Sequence, residues 1–401
     1  MKNIHKAWRV LIVLCGLAAA AVGISINTSG VFYSIVADEL DLLRGAFAFH
    51  MTIFSLVTAI SALFVPKFLR KISFKILLLI SVLVAVVGTA LMAISTHLWQ
   101  FYLLGAIRGF STGMFSIVTI TIIINHWFID KNGLATSIAL AFSGIMGAIF
   151  SPIFSAIIAV ASWQTAYLIE AFLLFCLCLP AILYPFTIQP EISNLKAYGG
   201  DRSPLKTYPK STNTQALPFT LFIIMSFGVM VSFVSSMTQH LPSYAETIES
   251  SAAIGASLLS MGMFGNIISK IIIGFFSDKI GAIKSSLILL LANILGAILL
   301  LFTRTSVLLL LAAFLFGSCY GLGAVSVPLV TRVMFGKNGY VKVFPVVSFV
   351  SNVGAAIAFS TIGYIYDFTK SYTPALILIV FLLILSIISL LVANHLMTIQ
   401  K

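Results

Sequence analysis

The sequence predicts an all-α polytopic membrane protein in which twelve transmembrane helices form two pseudo-symmetric six-helix bundles. The first observation is composition: 60% of the 401 residues are hydrophobic and only 8% are charged, against roughly a quarter charged in an average soluble chain. The second is a series of twelve apolar runs. The length of each run is close to that of a membrane-spanning helix, which needs about 20 residues. The third is an internal duplication. Together they exclude a water-soluble globular protein, a disordered chain and a collagen-like or disulfide scaffold.

Charges, prolines and glycine clusters bound the apolar runs and define the predicted spans, numbered one to twelve along the chain. In the first half they cover residues 9–33, 46–66, 75–95, 99–125, 133–160 and 163–187. In the second half they cover residues 217–241, 251–276, 285–303, 306–331, 341–366 and 373–397. The first run is too long for a cleaved signal peptide, so we expect it to remain as span one.

A segment rich in proline, glycine, serine and threonine separates the first six runs from the last six. Such a composition is typical of a polar linker. We therefore predict an N-terminal six-helix bundle at 1–187, a cytoplasmic linker at 188–216 and a C-terminal six-helix bundle at 217–401.

The two halves resemble each other when the second is laid on the first at a shift of about 206–209 residues. Trp127-Phe128 followed by Gly133 then matches Met334-Phe335 followed by Gly339. A parallel duplication of this kind predicts a binding site near the middle of the membrane, where the two repeats meet.

The basic residues predict the orientation, because positively charged loops stay in the cytoplasm. With the N-terminus inside, the 23 Lys and Arg residues divide into 18 on the side of the termini, three on the opposite side and two deep inside the membrane. Both termini are therefore expected in the cytoplasm. The net charge of +12 is explained by this asymmetry, and no nucleic-acid partner is expected. The short tails favour a bacterial inner membrane.

A glycine-bounded polar motif follows span eight: Gly274-Phe275-Phe276-Ser277-Asp278-Lys279-Ile280-Gly281. It resembles the G-x-x-x-D-[RK]-x-G signature of the major facilitator superfamily. The resemblance implies a cytoplasmic gate in which Gly274 permits close helix packing and Asp278 and Lys279 form polar contacts. The alternative is an ordinary polar loop that follows the positive-inside rule. The equivalent loop of the first half, residues 66–71, lacks the aspartate.

A longer segment, residues 127–144, resembles one particular group within this superfamily. It contains an aromatic pair, a basic turn and a Leu-Ala run before small residues, and it is similar to the opening of span five in monocarboxylate transporters and oxalate/formate exchangers. This resemblance implies a twelve-helix major facilitator fold and a secondary active transporter for a small organic anion.

Three charged residues lie deep inside the predicted spans, away from their ends: Arg108, Glu170 and Lys270. Because a charge at mid-depth costs at least a few kcal/mol, such residues persist mainly where they serve transport or pairing. Arg108 lies roughly 13 Å from the nearer end of span four along the helix. We expect it to face the cavity and attract an anion, with no buried acid close by; a structural guanidinium is the alternative.

Lys270 and Asn266 lie one helical turn apart in span eight. The resemblance to monocarboxylate transporters places them where those proteins carry an Arg and an Asp, so the cation is kept and the carboxylate is lost. It likewise places Asn27 where they carry a lysine in span one. Asn352 contributes to the polar face of span eleven. We predict substrate-binding roles for all four residues. For Lys270, the alternative is a side chain that reaches the cytoplasmic interface. For Asn266, the alternative is a plain interhelical hydrogen bond.

Glu170 is the one acidic residue within the predicted spans. It lies only seven residues from the end of span six, so we expect an interfacial carboxylate, with a proton carrier as the weaker alternative.

The function predicted from these residues is transport of a small organic anion, monocarboxylate-like, by alternating access. Proton symport and exchange against a second anion both stay open, and efflux of drugs or other metabolites is the alternative within the superfamily. An enzyme is not expected, because no span contains a nucleophile with its base or a metal-ligand pair at helical spacing. No cofactor or metal site is predicted. We interpret the four cysteines as small hydrophobic residues. We expect a monomer in the lipid bilayer.

Overall fold

The computed structural model describes residues 5–69, 71–129, 131–193, 195–199 and 217–399. Within these residues, twelve helical segments are long and apolar enough to cross a membrane, which confirms the predicted all-α architecture. Spans one to six are Lys6–Glu39, Arg44–Leu69, Phe74–Met92, Leu98–Trp127, Leu134–Val160 and Trp163–Leu183. Spans seven to twelve are Pro218–Thr247, Ala252–Ser277, Ala282–Phe302, Ser306–Gly336, Val343–Thr369 and Thr373–Leu396.

Eight of the spans consist of one α-helix each in the described chain. These helices are Arg44–Leu69, Phe74–Met92, Asn132–Val160, Trp163–Leu183, Ala252–Ile280, Ala282–Phe302, the part of Val327–Thr369 that follows the non-helical Gly336, and Thr373–Ile399.

The other four, spans one, four, seven and ten, are interrupted. Span one contains Lys6–Ala18, a π-helical turn Ala19–Ile24, a 3-10 turn Ser29–Phe32 and Tyr33–Glu39. Span four contains Leu98–Gly113 and Ile117–Trp127. Span seven contains Leu217–Ser236, a 3-10 turn Met237–His240 and Leu241–Thr247. Span ten contains Ser306–Gly317, Cys319–Gly321, a π-helical turn Leu322–Ser326 and the start of Val327–Thr369.

Side-chain hydroxyls near these interruptions bond to backbone carbonyls. In span one, Ser25 Oγ donates to Ala20 O (3.0 Å) and Thr28 Oγ1 donates to Ile24 O (2.6 Å). In span ten, Ser318 Oγ donates to Leu315 O (2.6 Å). Because hydrocarbon offers no hydrogen-bonding partners, non-helical backbone at membrane depth needs such compensation. The clustered serines and threonines therefore make the interruptions possible.

Gly281, the last residue of the glycine-bounded motif, ends the helix of span eight. Its φ of 90° lies in a region that side chains disfavour and glycine accepts readily. Span nine begins at the next residue, Ala282, so this glycine makes the sharp turn between the two spans possible.

The described residues form two compact units. The first unit contains the chain up to Leu42 and from Ile53 into the linker, and the second contains Leu43–Thr52 and the chain from span seven onward. Each has its own apolar core, which includes Trp127 and Phe128 in the first and Phe227 and Phe316 in the second. Span two therefore begins in the second unit and continues in the first.

The described start of the linker is attached to the first unit. Tyr198 N donates to Trp127 O (2.8 Å), Ile129 N donates to Tyr198 O (3.0 Å), and Trp127 Nε1 donates to Thr187 O (2.8 Å). The predicted linker residues 194 and 200–216 lie outside the described chain.

Close packing of spans eight and ten generates a prediction for Gly317. A Cβ at this position would overlap Gly262 O, whereas a Cβ at Gly323 in the same span would meet only Ser232 Oγ at 3.9 Å. We expect Gly317→Ala to destabilise the protein by about 2 kcal/mol, since overpacking typically costs 1–3 kcal/mol. Thermal unfolding in detergent should show a lower Tm for Gly317→Ala than for the matched variant Gly323→Ala. Equal Tm values for the two variants would contradict the packing.

Candidate functional site

The charged centre of the first unit is an ion pair between spans four and six. Arg108 Nη2 lies 2.8 Å from Glu170 Oε1, and the two side chains are only 4% and 3% exposed. The same guanidinium donates from Nη1 to the Met92 sulfur (3.0 Å) and its Cζ lies 5.7 Å from the centroid of the Phe54 ring. Gly88 in span three faces the Arg108 side chain, which a Cβ there would meet at 3.0 Å. Both charges are therefore enclosed among spans two, three, four and six.

Two expectations from the sequence are wrong at this position. Arg108 has a buried acid at hydrogen-bonding distance, although none was expected, and Glu170 is buried in the unit rather than interfacial. A residue seven positions from a span end can still be buried when its helix face packs inward, which a linear sequence does not show. The pair is neutral overall, so it adds no net positive charge to the unit. A role for Arg108 in substrate binding, or for Glu170 in proton coupling, stays a prediction.

Asn27 lies three residues after the π-helical turn Ala19–Ile24 of span one and is 1% exposed. Its Nδ2 donates to Ser143 O in span five at 3.0 Å. Nearby, Gly23 lies so close to span five that a Cβ would meet Met146 Cβ at 2.7 Å. Asn27 Nδ2 thus links span one to span five. The substrate contact predicted for Asn27 would then be made by its Oδ1.

In the second unit, Asn266 and Lys270 lie on an inward-facing side of span eight. Both continue the face of Gly262, where a Cβ would meet Thr238 Cγ2 of span seven at 2.8 Å, because residues four apart on a helix lie above one another. Asn266 is 2% exposed and Lys270 is half-buried. No acidic residue in the described chain forms an ion pair with Lys270.

Several buried polar atoms of the second unit have no hydrogen-bond partner among the described residues. They include Asn266 Oδ1, Asn293 Oδ1 and Ser326 Oγ. A buried polar atom without a partner costs about 1–3 kcal/mol, and such atoms in a native protein are commonly satisfied by water or a ligand. Ser326 ends the π-helical turn of span ten. Each of these atoms is therefore a candidate for a contact with water or with a bound polar molecule.

The interruptions of spans seven and ten contact each other. Gln239 Nε2 donates to Tyr320 Oη (3.1 Å), and Thr238 Oγ1 lies 4.0 Å from Cys319 Sγ. Ser269 of span eight packs on the same region, since a Cβ at Gly321 would meet Ser269 Oγ at 2.5 Å. The non-helical turns and the Asn266 face of span eight therefore belong to one polar region of this unit.

Asn352 lies in span eleven, and its side chain is exposed. It lies one turn before Ala356, whose carbonyl accepts a hydrogen bond from Thr52 Oγ1 at 2.6 Å. Asn352 is thus accessible, on the side of span eleven that contacts the first residues of span two.

Of the predicted gating residues, Lys279 is exposed, and its Nζ lies 4.2 Å from the centroid of the Phe275 ring. The surroundings of Gly274 and the side chain of Asp278 lie outside the described part of the structure. The gating role of all three stays a prediction.

Sequence reasoning missed Gln239, Tyr320 and the interruptions of four spans. A signal was present: Ser25-Ile-Asn-Thr-Ser-Gly30 and Gly317-Ser-Cys-Tyr-Gly-Leu-Gly323 both place small and hydroxylated residues inside apolar runs. Such residues weaken a helix by competing for its backbone groups.

The fold and the polar interior of each unit define a multi-pass membrane protein with discontinuous helices, an arrangement typical of secondary transporters. The family model of the Major Facilitator Superfamily matches residues 15–359. The chain belongs to the Major Facilitator Superfamily and is a transporter of that family.

Its relatives are distant. It is 23% identical over 304 residues to monocarboxylate transporter 13 of Rattus norvegicus, which covers 74% of this chain and 67% of the relative. It is 25% identical over 219 residues to the MFS-type transporter pytF of Aspergillus terreus (strain NIH 2624 / FGSC A1156), covering 54% of this chain and 70% of that protein.

Solved structures share the fold. The crystal structure of the nucleoside transporter NupG matches with a TM-score of 0.70 at 13% identity, covering 97% of this chain and 99% of the other. A mutant of NupG matches with a TM-score of 0.73 at 13% identity, covering 96% and 99%. At this identity the likeness shows the fold alone.

The ion pair of the first unit generates a prediction for a double-mutant cycle. Removing one partner leaves a buried charge alone, which typically costs 3–5 kcal/mol, whereas replacing both by apolar residues is often neutral. We expect Arg108→Met and Glu170→Met each to lower the Tm strongly, and the double variant to recover most of the loss. Thermal unfolding of the four proteins in detergent measures the coupling. Additive effects would show that the two charges do not stabilise each other.

Proposed function

We propose that this protein is a secondary active transporter of a small organic anion and that Lys270 supplies the positive charge that attracts it. The observation that carries the proposal is a half-buried lysine inside a span with no ion-pair partner in the described chain. A charge at membrane depth is costly and marks a transport pathway by default. A carboxylate would compensate this charge while it is bound.

The polar neighbours of Lys270 support the same cargo. Asn266 lies one turn away, and its Nδ2 makes only a weak contact with Met263 Sδ at 3.8 Å. It can therefore donate a hydrogen bond to a carboxylate oxygen beside the ammonium group. A cationic cargo would be repelled by Lys270 in a site of low dielectric constant.

The ion pair of the first unit changes the proposed division of roles. Because Glu170 neutralises Arg108, the net charge that selects an anion comes from Lys270. Asn27 and Asn352 remain candidates for neutral contacts with the cargo, and Gly274, Asp278 and Lys279 remain the proposed gate.

The sequence relationship is compatible with this cargo, since one relative carries the name monocarboxylate transporter. Movement of the anion by alternating access could be coupled to proton symport or to exchange for a second anion. We propose a bacterial inner membrane as the location, with both termini in the cytoplasm, an orientation that the distribution of basic residues favours.

Uptake into proteoliposomes tests the proposal, with a panel of labelled monocarboxylates as probes, assayed with and without a pH gradient. We expect Lys270→Gln to reduce uptake at least about tenfold, since hydrogen bonds to charged groups contribute about 1.5–3 kcal/mol. Lys270→Arg keeps the charge and should retain more activity than Lys270→Gln.

The matched control is Lys284→Gln, which removes one exposed lysine at the start of span nine. Its uptake should equal that of the unmodified protein. The alternative function, efflux of drugs or other metabolites, does not require a positive charge at position 270. Full uptake of carboxylates by Lys270→Gln, or uptake of none of them by the unmodified protein, would refute the proposal.

A further inference from the structure

A groove on the surface of the first unit shares no residue with the proposed anion site. It has a volume of about 550 Å³ and lies among spans one, five and six. Apolar and small side chains form its walls, among them Trp8, Ile12, Phe142 and Cys176. Ligand pockets typically measure about 300–1,000 Å³, so the groove is large enough for an organic molecule.

The groove opens on an apolar face of the spans. Cys176 and Pro180 form its wall on span six and are exposed. They continue a row of exposed apolar side chains, Leu168 and Phe172, because residues four apart on a helix lie above one another. On span one, Ile12 is 71% exposed. Lipid hydrocarbon surrounds such a surface, so the occupant of the groove has to be apolar along most of its length.

The floor of the groove is closed by close packing of spans one and six. A Cβ at Gly16 would meet Leu177 O at 2.5 Å, and Ala19 is 1% exposed. Because positions 16 and 19 carry no side chain larger than a methyl group, span one forms a depression there instead of a ridge.

The length of the groove matches the thickness of one leaflet. Along span one it extends from Trp8 to Ala19, roughly 16 Å at 1.5 Å per residue. The hydrocarbon core of a bilayer is about 30 Å thick, so each leaflet contributes about half of that. Span one begins at Lys6, and the groove therefore runs from the membrane surface to near the midplane. An acyl chain of a phospholipid has this length and this chemistry.

The end of the groove at the membrane surface, which we call its mouth, is preformed and positively charged. The Trp8 ring makes edge-on contacts with Phe128 and Tyr198, at centroid distances of 5.2 and 5.7 Å, so this wall is fixed before any ligand binds. Arg9 is exposed and Lys6 is half-buried.

The two cations are available to a ligand. Arg9 lies three residues before Ile12, and residues at this spacing are neighbours on a helix surface. Within the described chain, no acidic residue forms an ion pair with Arg9 or Lys6. Basic residues next to a membrane attract anionic lipids, and a guanidinium forms strong hydrogen bonds with a phosphate.

We propose that this groove binds an anionic phospholipid from the leaflet on the side of the N-terminus, with one acyl chain between spans one, five and six and the phosphate at Arg9. The apolar walls provide affinity for the chain. Arg9 and Lys6 provide the preference for a negatively charged headgroup. A lipid bound in this way stabilises the packing of span one in the first unit, because it binds the folded protein alone.

Native mass spectrometry of the delipidated protein tests the proposal. Phosphatidylglycerol and phosphatidylcholine with the same acyl chains are titrated, and the Kd of the first bound lipid is measured for each. We expect tighter binding of phosphatidylglycerol. Arg9→Gln should raise its Kd at least about tenfold, since hydrogen bonds to charged groups are strong, and should abolish the preference between the two lipids. The control Lys284→Gln removes an exposed cation of the second unit and should change neither value.

A second pair of variants tests whether the chain occupies the groove. Ile12→Trp enlarges an exposed side chain in the groove and should weaken binding of both lipids at least about tenfold. Ile80→Trp is its control: Ile80 is 53% exposed and lies six residues after the start of span three, as Ile12 lies six residues after the start of span one. This control should bind both lipids like the unmodified protein. Ile12 and Arg9 are both exposed, so neither substitution disturbs the core.

Tryptophan fluorescence locates the bound lipid. Trp8 lies at the mouth of the groove, whereas Trp127 and Trp163 are buried and Trp99, at the start of span four, lies at the opposite membrane surface. Phosphatidylglycerol brominated near the headgroup end of its chains should quench the fluorescence at saturation. Most of this quenching should be lost in Trp8→Phe.

Three results would each overturn the proposal: equal affinity for the two lipids in the unmodified protein, the same affinity for phosphatidylglycerol in Ile12→Trp as in Ile80→Trp, or equal quenching with and without Trp8. None of the measurements uses a cargo. A failed lipid site therefore leaves the role of Lys270 untouched, and a failed anion assay leaves the lipid site untouched.

Discussion

The dominant constraint on this protein is the cost of leaving a charge or a polar group alone in an apolar surrounding. Within the described chain, Arg108 is neutralised by Glu170, and Arg44 is surrounded by Glu246, Asp367 and the Tyr366 ring. Among the charged residues deep inside the described spans, Lys270 stands apart, because no acidic residue of the described chain forms an ion pair with it. Arg108 and Glu170 compensate each other, whereas Lys270 is the candidate for binding the transported anion.

The same constraint acts on the backbone. Spans one, four, seven and ten depart from the α-helix. In spans one and ten, nearby serine and threonine hydroxyls bond to backbone carbonyls at these points. They are the first and fourth spans of each six-span half, so the duplication seen in the sequence is repeated in where the helices are irregular. Exposed backbone of this kind is tolerated only inside protein or beside water. The interruptions therefore place polar, non-helical backbone in the interior of each unit, next to residues such as Asn27 and Tyr320.

Much of the fold could be predicted from the sequence, because bilayer thickness sets the length of each apolar run. The predicted spans at 9–33 and 217–241 were too short, since span one continues through its interruption to Glu39 and span seven to Thr247. Hydropathy cannot follow a helix past a polar turn such as Ser25–Gly30. The charged residues Arg108, Glu170 and Lys270 could also be found from the sequence, because any charge within an apolar run is conspicuous.

Which charges meet could not be predicted. Arg108 and Glu170 are 62 residues apart in the chain, and Arg44 and Asp367 are 323 apart; each pair depends on which helix faces pack together. Arg44 and Asp367 were further hidden because both lie at span ends, where charges are ordinary. The region around Gln239 and Tyr320 depends on the contact between two interruptions, neither of which a periodicity argument detects.

The central claim, that the uncompensated charge of Lys270 selects an anion, is tested most directly by comparing a bound carboxylate with its neutral amide. Thermal stabilisation of the purified protein would be measured with both members of several monocarboxylate and amide pairs. The account predicts a concentration-dependent rise in Tm with at least one carboxylate and no rise with the matching amide, and it predicts that Lys270→Gln loses this difference. Equal stabilisation by acid and amide in the unmodified protein would contradict it.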